Sequence, residues 1–230
     1  MAEALQEAES LNASLDRRLS TYSDQSRKIR PDIARAYDEL VGRLGTLDRG
    51  EFGPQIGEPM QAFSLPDEND GLVSLTSLLQ SGPAVISFNR GHWCPYCKLE
   101  LRSLAAIHGQ IRQLGARVVS IMPDIAQFTN GYKKQNEFPF PILSDIDLGY
   151  SLSLGLIFWV GPEIRRLYEE AGIELAKYHG NQGFFLPMAA KFVVGQDGLV
   201  KAQHVNLEFR RRMDPDALLA VLKKLRGPDV

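Results

Sequence analysis

Cys94 and Cys97 are the residues of this chain whose type and spacing best fit a chemical role. They are the only cysteines among its 230 residues, and Trp93 stands directly before the pair. Two thiols three residues apart at the start of a helix lie on one face, so they can close a small disulfide and reopen it. The spacing therefore indicates thiol–disulfide or peroxide chemistry.

The position of the pair predicts which thiol reacts. Pro95 suits the first turn of a helix, where its missing N–H costs nothing, so Cys94 becomes the N-cap residue. Its sulfur then faces unpaired backbone N–H groups and the positive end of the helix dipole, which favour a thiolate. Helix-start cysteines in such motifs have pKa values of roughly 3.5–7.5. Cys94 is therefore the predicted nucleophile, and Cys97 the resolving thiol that condenses with a sulfenic acid on Cys94.

The residues just before the pair are candidates for supporting roles. Arg90 and His92 lie close in sequence, and either adds positive charge beside the thiolate unless its side chain is solvated in the loop. Trp93 is predicted to pack over the pair and to restrict the access of water. An alternative is a soft-metal site with His92 as the third ligand. Because a structural zinc site takes four ligands and no second cysteine cluster exists, no metal and no cofactor is predicted.

Composition and charge narrow the range of partners. The chain is 44% hydrophobic and 23% charged with a net charge of -2, which indicates neither nucleic acid nor an anionic membrane as partner. Its acidic start lacks the basic and apolar regions of a signal peptide, and no segment approaches the roughly 20 apolar residues that span a bilayer. We therefore expect a cytoplasmic protein, in which a Cys-x-x-Cys pair is catalytic or metal-binding rather than structural.

The first 50 residues are predicted to form a helical extension, and residues 51–230 the main domain. Two amphipathic helices are expected, the second beginning at Pro31. Their apolar residues are Ala8, Leu11, Leu15 and Leu19, and then Ile33, Tyr37, Leu40 and Leu44. These helices either pack on the main domain or form a homodimer. A Gly- and Pro-rich linker at residues 45–59, which includes Gly50, marks the boundary.

Strand and helix patterns alternate from residue 60 onwards. Predicted strands are Met60–Leu65, Leu72–Leu75, Ala84–Asn89, Arg117–Met122, Lys191–Val194 and Leu199–His204, and predicted helices follow Cys94, cover Gln127–Asn136, Leu148–Leu154 and Pro162–Ala171, and start at Asp214-Pro215. This order predicts an α/β fold with a central mixed sheet and helices on both faces. It is compatible with a thioredoxin-like fold.

Five segments, taken in order, resemble those of the alkyl hydroperoxide reductase / thiol-specific antioxidant family, and above all its peroxiredoxin-like branch with a Trp-Cys-Pro-x-Cys site. They are Ile56–Pro59 with Phe63–Pro66, Val85–Cys97, Phe140–Asp145, Phe192–Gly198 and Arg210–Pro215. The resemblance spans about residues 51–226. It implies a thioredoxin-like fold and a thiol peroxidase in which Cys94 attacks a hydroperoxide and Cys97 resolves. It also implies a thioredoxin- or glutathione-type reductant.

The chain departs from this family pattern around the reactive cysteine. Typical peroxiredoxins carry a Pro and a Thr or Ser before that cysteine, where this chain has Arg90 and Gly91. The family's later Arg would fall near Ala189, where thioredoxins and many relatives of this branch place a cis-Pro, and here Pro187 stands two residues earlier. Arg90 is the residue that would replace the missing charge.

Two other functions stay open. The segment Cys-Pro-Tyr-Cys also resembles the glutaredoxin site, which favours a general dithiol–disulfide oxidoreductase. A non-enzymatic redox sensor is the third interpretation, in which oxidation of Cys94 and Cys97 signals to a partner docked on the N-terminal helices. The residue pattern alone does not separate these functions from a peroxidase.

Overall fold

The computed structural model describes residues 1–46 and 52–227. The helices are α1 Ala2–Ser10, α2 Leu15–Ile29, α3 Pro31–Gly45, α4 Leu75–Gln80, α5 Pro95–Gln113, α6 Ala126–Asn136, α7 Gly149–Ser153, α8 Gly161–Glu170, α9 Leu175–His179 and α10 Pro215–Arg226. The strands are β1 Ser64–Pro66, β2 Leu72–Ser74, β3 Ala84–Phe88, β4 Arg117–Met122, β5 Ile142–Ser144, β6 Ile157–Trp159, β7 Phe185–Pro187, β8 Ala190–Val194 and β9 Val200–Val205. The predicted domain boundary at residues 50 and 51, and Gly50 of the predicted linker, lie outside the described residues.

Within the described residues, five strands form the central sheet in the order β5-β4-β3-β8-β9. β4 is parallel to both β3 and β5, whereas β8 runs antiparallel to β3 and to β9. Every residue of β3 is buried, which explains its unbroken apolar sequence and its place in the middle of the sheet. The predicted mixed sheet flanked by helices, a thioredoxin-like fold, is confirmed.

Each face of the sheet has its own apolar core, because successive strand residues point to opposite sides. Ile86 and Phe88 belong to the core that includes buried residues of α3 and α8. Val85 belongs to the core on the other face, together with Leu104 of α5 and Leu218 of α10. β3 therefore packs on both cores and α5 packs on one of them, so both ends of the loop between them are anchored in buried elements.

The N-terminal extension differs from its prediction. The apolar stripe from Ala8 to Leu19 predicted one helix, but the chain leaves the helical conformation at Leu11, where φ is -65° and ψ is 126°. A new helix begins after Ser14, whose side chain accepts a hydrogen bond from the backbone N–H of Arg17. Residues 1–30 therefore hold two helices, α1 and α2, and the prediction of a single one was wrong.

The extension packs on the main domain at the cysteine end of α5. Leu19 and Tyr22 of α2 are buried in one cluster with Cys94 and Cys97. The ring of Tyr22 also makes an edge contact with that of Tyr96, with centroids 5.0 Å apart. The apolar stripes of these helices are thus used within the chain, and a homodimer through them stays a prediction.

The stretch between β5 and β8 carries elements that were not predicted, namely the antiparallel pair β6 and β7 and the short helix α9. The predicted helix α8 lies against α3 and brings Tyr168 to Trp93, with ring centroids 5.0 Å apart. Across the described residues, no helix combines the length and the apolar character needed to cross a membrane.

Candidate active site

The reactive pair lies where β3 passes into α5. Cys94 is the N-cap residue of α5, and Pro95 lies in its first turn, as the sequence predicted. Both thiols are free, and both are buried: Cys94 is 1% exposed and Cys97 is fully buried. The enclosure of Cys94 was not predicted, and it arises because α2 packs over this end of α5.

The surroundings of Cys94 favour its ionised form. Burial raises the pKa of the Cys94 thiol, but a hydrogen bond with Cys97 and the charges of Arg90 and Arg212 outweigh burial and bring the pKa from 9.0 down to about 6. For Cys97, burial and the interaction with Cys94 raise the pKa of the thiol well above its ordinary value. At neutral pH the pair therefore holds a thiolate on Cys94 and a thiol on Cys97.

Arg90 is a buried cation with 1% of its surface exposed. Its guanidinium donates a hydrogen bond to the Tyr168 hydroxyl, and its backbone N–H donates one to the Cys97 sulfur at 3.3 Å. Burial lowers the pKa of the guanidinium, but Tyr168 and Cys94 raise it above its ordinary value. No carboxylate of the described residues pairs with it, so the Cys94 thiolate is the anion that compensates this buried charge.

Aromatic rings surround the Arg90 guanidinium. Its central carbon lies 4.0 Å from the ring centroid of Phe209, 5.3 Å from that of Trp93 and 5.4 Å from that of Tyr37. Trp93 also packs against the cluster that contains both cysteines, which is the place predicted for it. Sequence reasoning missed the roles of Tyr37, Tyr168 and Phe209, because these residues come from distant elements: α3, α8 and the segment after β9.

A cavity of about 180 Å³ lies over Cys94. Arg90, Trp93, Cys94 and Tyr168 line it on the side of the main domain, and residues of α2 and α3 line it opposite. Because Cys94 and Arg90 both line this cavity, a small molecule held there lies beside both residues. The arrangement supports attack by a thiolate on a substrate that develops negative charge.

Glu100, Lys191 and Arg212 form a buried charge cluster next to Cys97. Their side chains are at most 2% exposed, and Glu100 accepts from Lys191 at 2.8 Å and from Arg212 at 2.6 Å. Burial raises the pKa of the Glu100 carboxyl, but the two cations outweigh it and lower the pKa. Arg212 also reaches the Cys97 sulfur at 3.8 Å. The sequence signal that was overlooked is Lys191, a lone charge inside an apolar strand.

The profile of the AhpC/TSA family matches residues 56–203, which is more than half of the chain. The chain belongs to the AhpC/TSA family. It is therefore an enzyme of the peroxiredoxin-like thiol peroxidase and oxidoreductase class. No protein of curated function matches the sequence significantly.

Solved structures with the same fold include several peroxiredoxins. Peroxidoxin BcpB of Mycobacterium tuberculosis is 21% identical with a TM-score of 0.60, over 76% of this chain and 99% of that one. Peroxiredoxin Q of Xanthomonas campestris is 17% identical with a TM-score of 0.54, over 72% and 92%. AhpC of Mycobacterium tuberculosis is 15% identical with a TM-score of 0.57, over 75% and 93%. At these identities the similarity establishes the fold.

In this AhpC/TSA protein, neighbouring side chains leave no space for a side chain at residue 91, where the family pattern has Thr or Ser. Gly91 has φ +141°, and a Cβ there would lie 2.4 Å from Trp93 Nε1 and 3.1 Å from a carboxylate oxygen of Asp124. Asp124 is fully buried and accepts a hydrogen bond from the backbone N–H of His92 at 2.7 Å. A threonine therefore does not fit at residue 91 unless Trp93 moves. Asp124 was not singled out from the sequence.

In the AhpC/TSA protein, the positive charge near Cys94 does not come from the later strand that carries the family's arginine. Ala189, near which the family's later arginine is expected to fall, lies in the same buried cluster as both cysteines and carries no charge. Arg90 from the loop and Arg212 from the segment before α10 both lower the pKa of the Cys94 thiol. Residue 189 is thus close to the pair, but the cations come from two other segments of the chain.

The soft-metal alternative gains no support. His92 is 22% exposed rather than solvated, with Nδ1 3.3 Å from the Asp124 carboxylate and its ring stacked on Phe128 at 5.3 Å. In the part of the chain that the structure describes, no group of three His, Cys, Asp or Glu side chains has the arrangement of a metal site.

Proposed function

We propose that this protein reduces hydroperoxides with Cys94 as the nucleophile and Cys97 as the resolving thiol. The observation that carries the proposal is the buried guanidinium of Arg90, which has no carboxylate partner among the described residues and raises the thiolate fraction of Cys94. A fixed cation at this point stabilises the thiolate and also the negative charge that develops on the leaving oxygen. Family membership supports the same reaction.

The thiolate of Cys94 attacks the terminal oxygen of a hydroperoxide, R–O–O–H. An S–O bond forms and the O–O bond breaks, and the leaving oxygen takes a proton from solvent and departs as an alcohol, or as water from hydrogen peroxide. Cys94 is thereby oxidised to a sulfenic acid. The Cys97 thiol attacks that sulfur, its proton leaves with the hydroxyl group as water, and the Cys94–Cys97 disulfide forms.

An external dithiol, or two small thiols, returns two electrons to the disulfide. We propose a reductant of the thioredoxin or glutathione type and residence in the cytoplasm, where such thiols keep cysteines reduced. Trp93 is proposed to limit the access of water to the sulfur, since it packs on the same cluster as the pair.

Rapid mixing of reduced protein with hydrogen peroxide, followed by Trp fluorescence, tests the proposal, because Trp93 adjoins the reacting sulfur. We expect a rate constant far above that of free cysteine, and no reaction in Cys94→Ser. In Cys97→Ser we expect one oxidation to a persistent sulfenic acid, which dimedone traps and mass spectrometry detects. A rate no better than that of free cysteine, with hydrogen peroxide and with organic hydroperoxides alike, contradicts the peroxidase.

General dithiol–disulfide exchange is the second candidate function. A low pKa at Cys94 favours it, as does Ala189 in place of the family's arginine. Reduction of a small disulfide by the dithiol form, without a fast peroxide reaction, would replace the peroxidase by this function. A protein that is oxidised by peroxide yet recycled by neither type of reductant would instead act as the redox sensor.

A further inference from the structure

The outer wall of the cavity over Cys94 belongs to the N-terminal extension. α2 and α3 contribute Tyr22, Ser23, Ser26, Arg27, Ile33, Ala34 and Tyr37. The family match begins only at residue 56, so this wall lies outside the matched segment. Any substrate that reaches Cys94, which is only 1% exposed, through this cavity contacts the extension.

Apart from Arg90, the arginine side chains of the lining are not available to an anionic substrate. The arginines at this cavity other than Arg90 already have carboxylate partners. These pairs are Arg27–Asp38 at 2.7 Å, Arg30–Asp32 at 2.6 Å, and Arg210–Glu208 at 2.6 Å. Arg90 is the arginine of this lining without a carboxylate partner among the described residues, and it lies beside Cys94. The remaining lining is largely apolar and aromatic, which favours an uncharged organic group.

The size of the cavity sets the size of that group. Its volume is about 180 Å³. An apolar cavity of about 150 Å³ stays dry and binds benzene. Hydrogen peroxide is far smaller and leaves this apolar wall without contacts, whereas a single ring or a branched alkyl group covers it and gains the free energy of apolar burial.

We infer that the extension is the specificity element of the active site, and that Ile33 and Ala34 select hydroperoxides with a compact, uncharged aryl or branched alkyl group over hydrogen peroxide. The inference rests on the proposed function. The reaction is the one given above, with R as the compact group: the S–O bond forms on Cys94, the O–O bond breaks, and R–OH leaves after taking a proton from solvent.

Ala34→Leu fills the cavity and tests the inference. The ratio of the rate constants for cumene hydroperoxide and hydrogen peroxide is measured by rapid mixing in the reduced full-length protein. We expect the ratio to fall by about tenfold, since one methylene in an apolar pocket changes discrimination by that order. Ala217→Leu is the matched control, because Ala217 is exposed on α10 and outside the cavity lining, and its ratio should stay unchanged.

Ile33→Ala tests the same wall in the opposite direction and serves if Ala34→Leu does not fold. The cavity widens, so the ratio of the rate constants for cumene hydroperoxide and tert-butyl hydroperoxide should rise by about tenfold. Its matched control is Ile29→Ala, because Ile29 is 47% exposed on α2 and does not line the cavity.

The outcomes separate this inference from the proposed function. Unchanged ratios in Ala34→Leu and Ile33→Ala, in proteins that still react rapidly with hydrogen peroxide, overturn the inference and leave the peroxidase intact. Failure of the unmodified protein to react with any of these peroxides faster than free cysteine overturns the peroxidase itself.

Discussion

Two buried arginines flank the cysteine pair, and they are compensated differently. Arg212 is held by Glu100, which it shares with Lys191 in the charge cluster. Arg90 pairs with no carboxylate of the described residues and relies on Tyr168, aromatic rings and the Cys94 thiolate. A buried cation that keeps its own counter-ion serves the fold, while one that lacks it is available to a reacting anion.

The largest expected effect comes from removing the counter-ion in the charge cluster. Glu100→Gln leaves Lys191 and Arg212 buried without a carboxylate, so the free energy of unfolding should fall by about 3–5 kcal/mol. Urea unfolding of the reduced protein measures it. Glu169→Gln is the control: its pair with Arg165 is about half exposed, and the expected change is below about 1 kcal/mol. Equal losses of unfolding free energy in Glu100→Gln and Glu169→Gln would show that the buried cluster matters no more to stability than an exposed ion pair.

Arg90→Met should instead damage the chemistry. The pKa of the Cys94 thiol should rise, because Arg90 lowers it, and the rate constant for hydrogen peroxide at neutral pH should fall about a hundredfold. Thiolate absorbance against pH gives the pKa, and rapid mixing gives the rate. The fold should persist, since an apolar side chain replaces an unpaired buried charge. Arg211→Met, at a residue 66% exposed, is the control and should react normally. An unshifted Cys94 pKa in Arg90→Met would refute the role of Arg90 in stabilising the thiolate.

Gly91→Ala probes the loop that carries Arg90. With φ +141° and Trp93 Nε1 only 2.4 Å from the added Cβ, the free energy of unfolding should fall by about 1–3 kcal/mol. Trp fluorescence should change as Trp93 moves. Gly109→Ala in α5 meets no atom within 4 Å and should stabilise by about 0.5–1 kcal/mol, so the two variants should differ in sign.

The pH profile gives the smallest expected effect. With a pKa of about 6, Cys94 loses its thiolate as the pH falls, so the rate constant for hydrogen peroxide should drop about tenfold between pH 7 and pH 5 and level off above pH 7. Arg212→Met should move the midpoint upward less than Arg90→Met does, because Glu100 already offsets the charge of Arg212. A larger shift in Arg212→Met would reverse the proposed roles of the two arginines.

Much of the fold was predictable from local pattern. The strand Ala84–Phe88 and the helix from Pro95 follow from an apolar run and from a proline beside an N-cap residue. The break at Leu11 was missed because the apolar stripe continues across it, whereas the N-cap signal of Ser14 was available. The pair β6 and β7 was missed because each strand has only three residues.

The sequence by itself determined the chemistry of this protein: two thiols at the start of one helix, with Arg90 and Trp93 in the same short loop. Only the tertiary structure decided which charges reach them and what can approach. Tyr37, Tyr168 and Arg212 come from distant elements, and α2 and α3 close the cavity over Cys94. The reason is physical, because burial and the lack of a counter-ion depend on elements far apart in the chain and leave no mark in local spacing.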